Sequence, residues 1–121
     1  MNKNFIIIFL NSLFKNIFNF KGRSTKKEYL VFTIFEFLIF TPLLILEKKY
    51  GRTDLLTIIL VLCLLIYFIP YTSLTIRRLH DLNLKGWWFL LSLIFSPVIF
   101  IMFCFISGDV KKNKYGEPPQ H

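Results

Sequence analysis

The residues able to do chemistry are concentrated in one stretch, Arg77-Arg78-Leu79-His80-Asp81-Leu82-Asn83-Leu84-Lys85-Gly86-Trp87-Trp88, set between two long apolar runs. Two adjacent guanidinium groups at the end of an apolar run can grip a phosphate bidentately, on a lipid headgroup or a phosphorylated ligand. Trp87 and Trp88 belong at the same depth, because an indole sits well at a membrane–water interface. Arginine carries information in this composition. The chain has 15 Phe, many Ile, Asn and Lys and no Ala, the signature of an AT-rich coding sequence, and only Arg23, Arg52, Arg77 and Arg78 among its 15 basic residues are arginine. Where lysine is the default, arginine suggests that a planar, bidentate donor is wanted. The plainer reading is orientation, with the arginines stopping translocation and the tryptophans anchoring the interface.

Other ionisable residues extend this cluster. Asp81 follows Arg77 by four positions, so a helical pair is available, and His80 beside it has the type of a metal or acid–base residue. No second ligand stands at helical spacing, so no metal site is expected. Glu28 completes the pattern Thr25-Lys26-Lys27-Glu28, in which Thr25 caps a helix and Glu28 reaches back. Alternatively Glu28 pairs with Arg77 or Arg78 across the molecule, and Arg23 and Asp81 are further ion-pair candidates. Glu36 is the one ionisable group well inside an apolar run, a proton site or the partner of a buried arginine if it has a function. No Ser-His-Asp or Cys-His arrangement, phosphate loop or dinucleotide glycine pattern is present. The expectation is a protein that is not an enzyme and carries no cofactor.

The elements that must position these residues are membrane helices. With 55% hydrophobic residues, mean hydropathy +0.56 and a length of 121, the chain is far more apolar than a soluble domain. Its net charge of +8 lies beside the apolar runs, which points to anionic lipid and excludes nucleic acid. Cys63 and Cys104 lie within apolar runs and imply no disulfide or metal. The fold class expected is an all-α membrane protein, one domain of three transmembrane helices plus an N-terminal interfacial amphipathic helix.

That first helix covers residues 5–20, gathering Asn11, Ser12, Lys15, Asn16 and Asn19 opposite Phe9, Leu10, Leu13, Phe14, Ile17 and Phe18. A signal peptide is the competing reading, but the apolar core is six residues and no small-residue cleavage site follows. The spans are 29–46, 55–76 and 87–106, with a polar tail at 107–121. The first span carries Glu36 yet holds 13 Leu, Ile, Phe or Val residues, enough to insert despite roughly +3 kcal/mol for a central carboxylate. Pro70 should kink the second near its end, with Thr72, Ser73 and Thr75 available to freed backbone groups. Pro97 interrupts the third, where Ser92 and Ser96 form a small-xxx-small pair.

Three crossings put the N-terminal segment and the 77–86 loop on one side, with nine Lys and Arg, and the 47–54 turn and tail on the other, with six. The excess favours a cytoplasmic N-terminus and a tail outside. A hairpin bent at Ser96-Pro97 would change the balance to 12 against three, but each arm would be about ten residues, too short to cross.

Three motifs in order resemble domain-of-unknown-function family 805, small bacterial inner-membrane proteins: residues 20–29 (Phe-Lys-Gly-Arg-Ser-Thr-Lys-Lys-Glu-Tyr), Arg77-Arg78-Leu79-His80-Asp81 leading to Gly86-Trp87-Trp88, and Gly108 with Asn113-Lys114-Tyr115-Gly116-Glu117-Pro118. The resemblance covers nearly the whole chain and implies a bacterial plasma-membrane location without supplying an activity. Leu30 stands where the family usually has Trp, removing an interfacial anchor, and Lys85 stands where a Ser usually precedes Gly-Trp-Trp, adding a charge. The function expected is that of an integral membrane protein whose Arg77-Arg78-His80-Asp81 cluster contacts anionic lipid or a partner protein. The alternative is a component of a small oligomeric transporter or channel using Glu36; three spans are too few to enclose a pathway, so that reading requires a homo-oligomer.

Overall fold

The computed structural model describes residues 4–120, and of residues 96–100 the backbone alone; Lys3 and His121 lie outside the described residues. The described residues are helical, without strands, and two of the helices are long and apolar enough to cross a membrane. The first, α2 (Lys26–Tyr50), follows a short N-terminal helix α1 (Phe5–Leu10) and starts where the sequence signals it, with Thr25 Oγ1 accepting the Glu28 amide at 2.9 Å. It runs through Pro42 to Tyr50 and stops at Gly51, whose φ of +77° suits glycine. The second, α3 (Asp54–Asp81), is capped by Thr53 and continues through Pro70 to Asp81. Thr72 Oγ1 donates to the Phe68 carbonyl at 2.7 Å in that turn.

The end of α3 closes in a Schellman arrangement. Leu84 N donates to Leu79 O and Asn83 N to His80 O, with Asn83 at φ +58°, a left-handed position that asparagine tolerates. This turn holds Arg77, Arg78, His80 and Asp81 at the same end of the helix pair as the start of α2. The buried core gathers there too, around Tyr29, Phe32, Leu74, Leu79, Phe89 and Phe103. Farther along α2 and α3, residues such as Leu38, Ile45, Leu55 and Leu65 are more than half exposed, which suits helices whose solvent is hydrocarbon.

The third apolar run is not the single helix expected over 87–106. A 3₁₀ turn (Gly86–Trp88) leads into α4 (Phe89–Ile94), the backbone breaks at Phe95 (φ −104°, ψ 29°), and α5 (Ser96–Phe105) follows. Pro97 explains the break, since a proline has no N–H to donate and cannot continue a helix from the preceding turn. At about 1.5 Å per residue neither arm approaches the roughly 30 Å of a bilayer core. Both arms also end at the same place: Gly86 lies beside Ile76 and His80, while the Phe103 and Ile106 carbonyls accept from Arg78.

The N-terminal segment also departs from expectation. The helix of residues 5–20 ends at Lys15, and its last part, Asn11–Lys15, is a π-helical turn. Ser73 Oγ lies 2.8 Å from both the Asn16 and Asn19 carbonyls, taking that backbone out of helix. Ser12, placed on the water-facing stripe by sequence, is fully buried against Glu28, whereas Phe14 and Phe18 are exposed. Phe9 enters the cleft between α2 and α3, stacking on Phe35 at 4.4 Å and tilting against Phe32 and Tyr67.

Candidate functional site: a buried arginine cluster at one end of the helix pair

Asp81 is the centre of the site. Arg23 reaches it from the loop before α2, with Nε 2.9 Å and Nη2 2.8 Å from Oδ1, and Arg78 reaches Oδ2 from one turn earlier on α3. All three side chains are essentially inaccessible. Burying two cations with one anion is costly unless further acceptors surround them, and the tail, the end of α5 and Ser24 supply those acceptors. Arg23 Nη1 donates to the carbonyls of Lys111 and Gly116, and its Nη2 to that of Asp109. Arg78 Nε donates to Phe103 O at 3.0 Å, and its Nη groups to the carbonyls of Ser24 and Ile106. The backbone closes the same knot, since Asp109 N donates to Asp81 O at 2.8 Å and Ser24 N to Arg77 O at 3.2 Å.

His80 ties in the remainder of the tail. Its Nδ1 lies 3.0 Å from the Gly22 carbonyl, which can only accept, so Nδ1 carries the hydrogen. The ring stacks on Tyr115 with centroids 3.8 Å apart and planes 8° from parallel. Asn113 Nδ2 donates to His80 O at 3.0 Å, and a turn bridging Asn113 and Gly116 presents Tyr115. His80 lies beyond the apolar stretch of α3, and burial lowers its pKa below the ordinary histidine value; the Gly22 hydrogen bond opposes that shift and nearby Lys114 adds to it.

Arg77 points elsewhere. It pairs with Glu28, Nη1 to Oε1 at 3.1 Å, and not with Asp81 four residues on. Glu28 Oε1 also accepts from Ser12 Oγ at 2.9 Å. Thr25 therefore caps α2 while the Glu28 carboxylate serves the ion pair, the half of the sequence pattern that needed a partner from another helix.

The sequence candidates thus separate. Arg23, Arg78, His80 and Asp81 meet in one buried knot, and Glu28 and Arg77 form a second pair beside it. Trp87 and Trp88 stack on each other at 4.8 Å and remain exposed next to Lys85. Glu36 stands apart in α2, half-buried, with Tyr67 and Tyr71 of α3 as electrostatic neighbours. Among the described residues no group of His, Cys, Asp or Glu could hold a metal. Sequence reasoning missed Ser12, Ser73, Asp109 and Asn113. The last two stand in or beside the tail motif, the one signal that could have found them; Asp109 acts mainly through its backbone, which has no side-chain signature, and Asn113 through its side-chain amide.

A family model described as Protein of unknown function (DUF805) matches residues 17–117, the region holding the whole knot. The chain belongs to this family. It is similar to Inner membrane protein YhaI of Escherichia coli (strain K12), 34% identical over 114 residues and covering 90% of this chain and 92% of that one. Inner membrane protein YhaH of the same organism is 32% identical over 110 residues, with 88% and 91% covered. No solved structure matches. Family membership and two apolar helices of spanning length make this a multi-pass protein of the bacterial inner membrane.

Proposed function

We propose that this is a non-enzymatic membrane protein whose cytoplasmic end is shaped by the Arg23–Asp81–Arg78 knot and engages anionic lipid through the lysines around it. The observation that carries the reading is the division of labour among the basic residues. Arg23 and Arg78 are buried on protein acceptors and Arg77 is buried against Glu28, while Lys15, Lys21, Lys26, Lys27, Lys85, Lys111, Lys112 and Lys114, at the same end, are exposed. Lipid contact at the exposed surface therefore falls to the lysines, with Trp87 and Trp88 at the interface beside them.

The third apolar run enters the membrane as a hairpin and leaves on the side it came from, so α2 and α3 are the two crossings. Every described Lys and Arg except Lys48, Lys49 and Arg52 then faces one side. That asymmetry, 11 against three, supports a cytoplasmic placement of both the N-terminal segment and the tail.

Reconstitution into nanodiscs of mixed phosphatidylglycerol and phosphatidylcholine tests the lipid reading, with retained lipid counted by native mass spectrometry. The expected result is enrichment of the anionic lipid, falling as salt rises and falling when Lys111, Lys112 and Lys114 are changed to Gln. Equal retention of both lipids overturns it.

A second reading, an oligomeric transporter using Glu36, is favoured by one observation: this carboxyl lies within a span and makes no ion pair among the described residues. Glu36→Gln with unchanged abundance and unchanged cellular phenotype removes it.

A further inference from the structure

The three buried arginines are not served equally. Arg23 and Arg78 have acceptors for each nitrogen of their guanidinium groups, supplied by Asp81 and by carbonyls of the tail, of the end of α5 and of Ser24. Arg77 is 97% buried, yet only Nη1 is bonded, while Nε and Nη2 are buried with no hydrogen-bond partner among the described residues. Those two nitrogens form the edge of the guanidinium that matches two oxygens of a phosphate or carboxylate. In a fold that satisfies its other buried arginines, an unserved fork is the exception that asks for a ligand.

What lies against this region is the N-terminal segment, attached by both polar and apolar contacts. Ser12 bonds Glu28, and Ser73 holds the Asn16 and Asn19 carbonyls. Phe9 stacks on Phe35, and Ile8 and Leu13 pack on the same core, but in a bilayer apolar side chains leaving a protein cleft exchange one hydrocarbon environment for another and lose little. The segment also ends in a π turn, a local widening that recurs at functional sites. The family match begins at residue 17, so α1 and this turn lie outside the matched core that contains Glu28 and Arg77.

We propose that the Nε–Nη2 edge of Arg77 seats one phosphate group, admitted when the N-terminal segment lifts from Glu28, and that the group belongs to an anionic phospholipid. The inference rests on the lipid reading above and adds a single tight site to it. Glu28 competes for the same guanidinium, so its charge sets the affinity: weakening Glu28 favours the phosphate and removing the fork abolishes the seat.

The test uses the full-length protein released from phosphatidylglycerol–phosphatidylcholine nanodiscs, with collisional activation in native mass spectrometry raised until loosely held lipid is stripped. One phosphatidylglycerol should survive on the wild type. Its occupancy should fall about tenfold in Arg77→Lys, which keeps charge but loses the fork, and should rise in Glu28→Gln. Ser12→Ala, which leaves every charge in place, should also raise it by loosening the segment, and it decides the matter if Arg77→Lys does not fold. Inorganic phosphate in lipid-free detergent is the second arm; an Arg77-dependent phosphate adduct that displaces phosphatidylglycerol would support the seat but reassign its ligand to the free anion. Retention unchanged in both Arg77→Lys and Ser12→Ala overturns the inference. Loss of the salt-sensitive enrichment alone, with the Arg77-dependent adduct intact, overturns only the lysine reading.

Discussion

Gly108 lies so close to Asp81 that a methyl group on its Cα would come within 1.7 Å of the carboxylate oxygen Oδ2. Asp81 cannot retreat, since Arg23 and Arg78 hold it from two sides. Glycine is required here for space. Gly108→Ala should therefore push the tail off the knot, at a cost of about 2–3 kcal/mol. Limited proteolysis in detergent is the direct measurement, with faster cleavage after Lys111 or Lys112 in the variant; wild-type cleavage rates would show that the tail can dock without this contact.

Asp81→Asn removes the one anion shared by two buried guanidinium groups and should cost about 3–5 kcal/mol, because uncompensated buried charge is what makes a broken buried pair expensive. Thermal unfolding in detergent and membrane accumulation should both drop. Lys112→Gln, which breaks the exposed pair with Glu117, is the control and should move stability by less than about 0.5 kcal/mol.

The Arg77–Glu28 pair predicts coupling between two helices. Arg77→Glu should lower accumulation, and combining it with Glu28→Arg should recover part of the loss, giving an interaction energy of about 1–3 kcal/mol. If the two losses simply add, the carboxylate is a helix-end residue and nothing more.

The pH response of the tail follows from His80. Its pKa is lowered in the folded protein, so the folded form holds the ring neutral where the unfolded chain, at about 6.5, has begun to protonate. The stability this contributes is complete above 6.5 and is lost as pH falls through the lowered folded value. Tail protection from protease should accordingly weaken between pH 7.5 and pH 5.5, and His80→Gln should flatten that dependence. A profile of the same slope in wild type and variant would assign it to other groups.

A reporter fused to the C-terminus should read cytoplasmic, on the same side as one fused to the N-terminus. An external C-terminus would require residues 87–106 to cross and would contradict the return of Phe103 and Ile106 to Arg78.

The start of α2 at Thr25, the two long apolar helices and the polar character of residues 77–88 were legible in the sequence, because each depends on local chemistry: a capping hydroxyl, an unbroken run of hydrocarbon, a charge that stops it. The Glu28–Arg77 pair was legible as an alternative, since antiparallel spans put both residues at one end. The fate of residues 87–106 was not. Twenty apolar residues satisfy the length rule for a span, and Pro97 alone permits either a kink or a reversal. What decided it was the demand of Arg78 for acceptors, which the returning Phe103 and Ile106 carbonyls meet. The same holds for the choice of Arg78 over Arg77 as the partner of Asp81, and for Ser12 turning inward. Backbone carbonyls look alike in every sequence, so a site built from them becomes visible only once the chain has folded them into place.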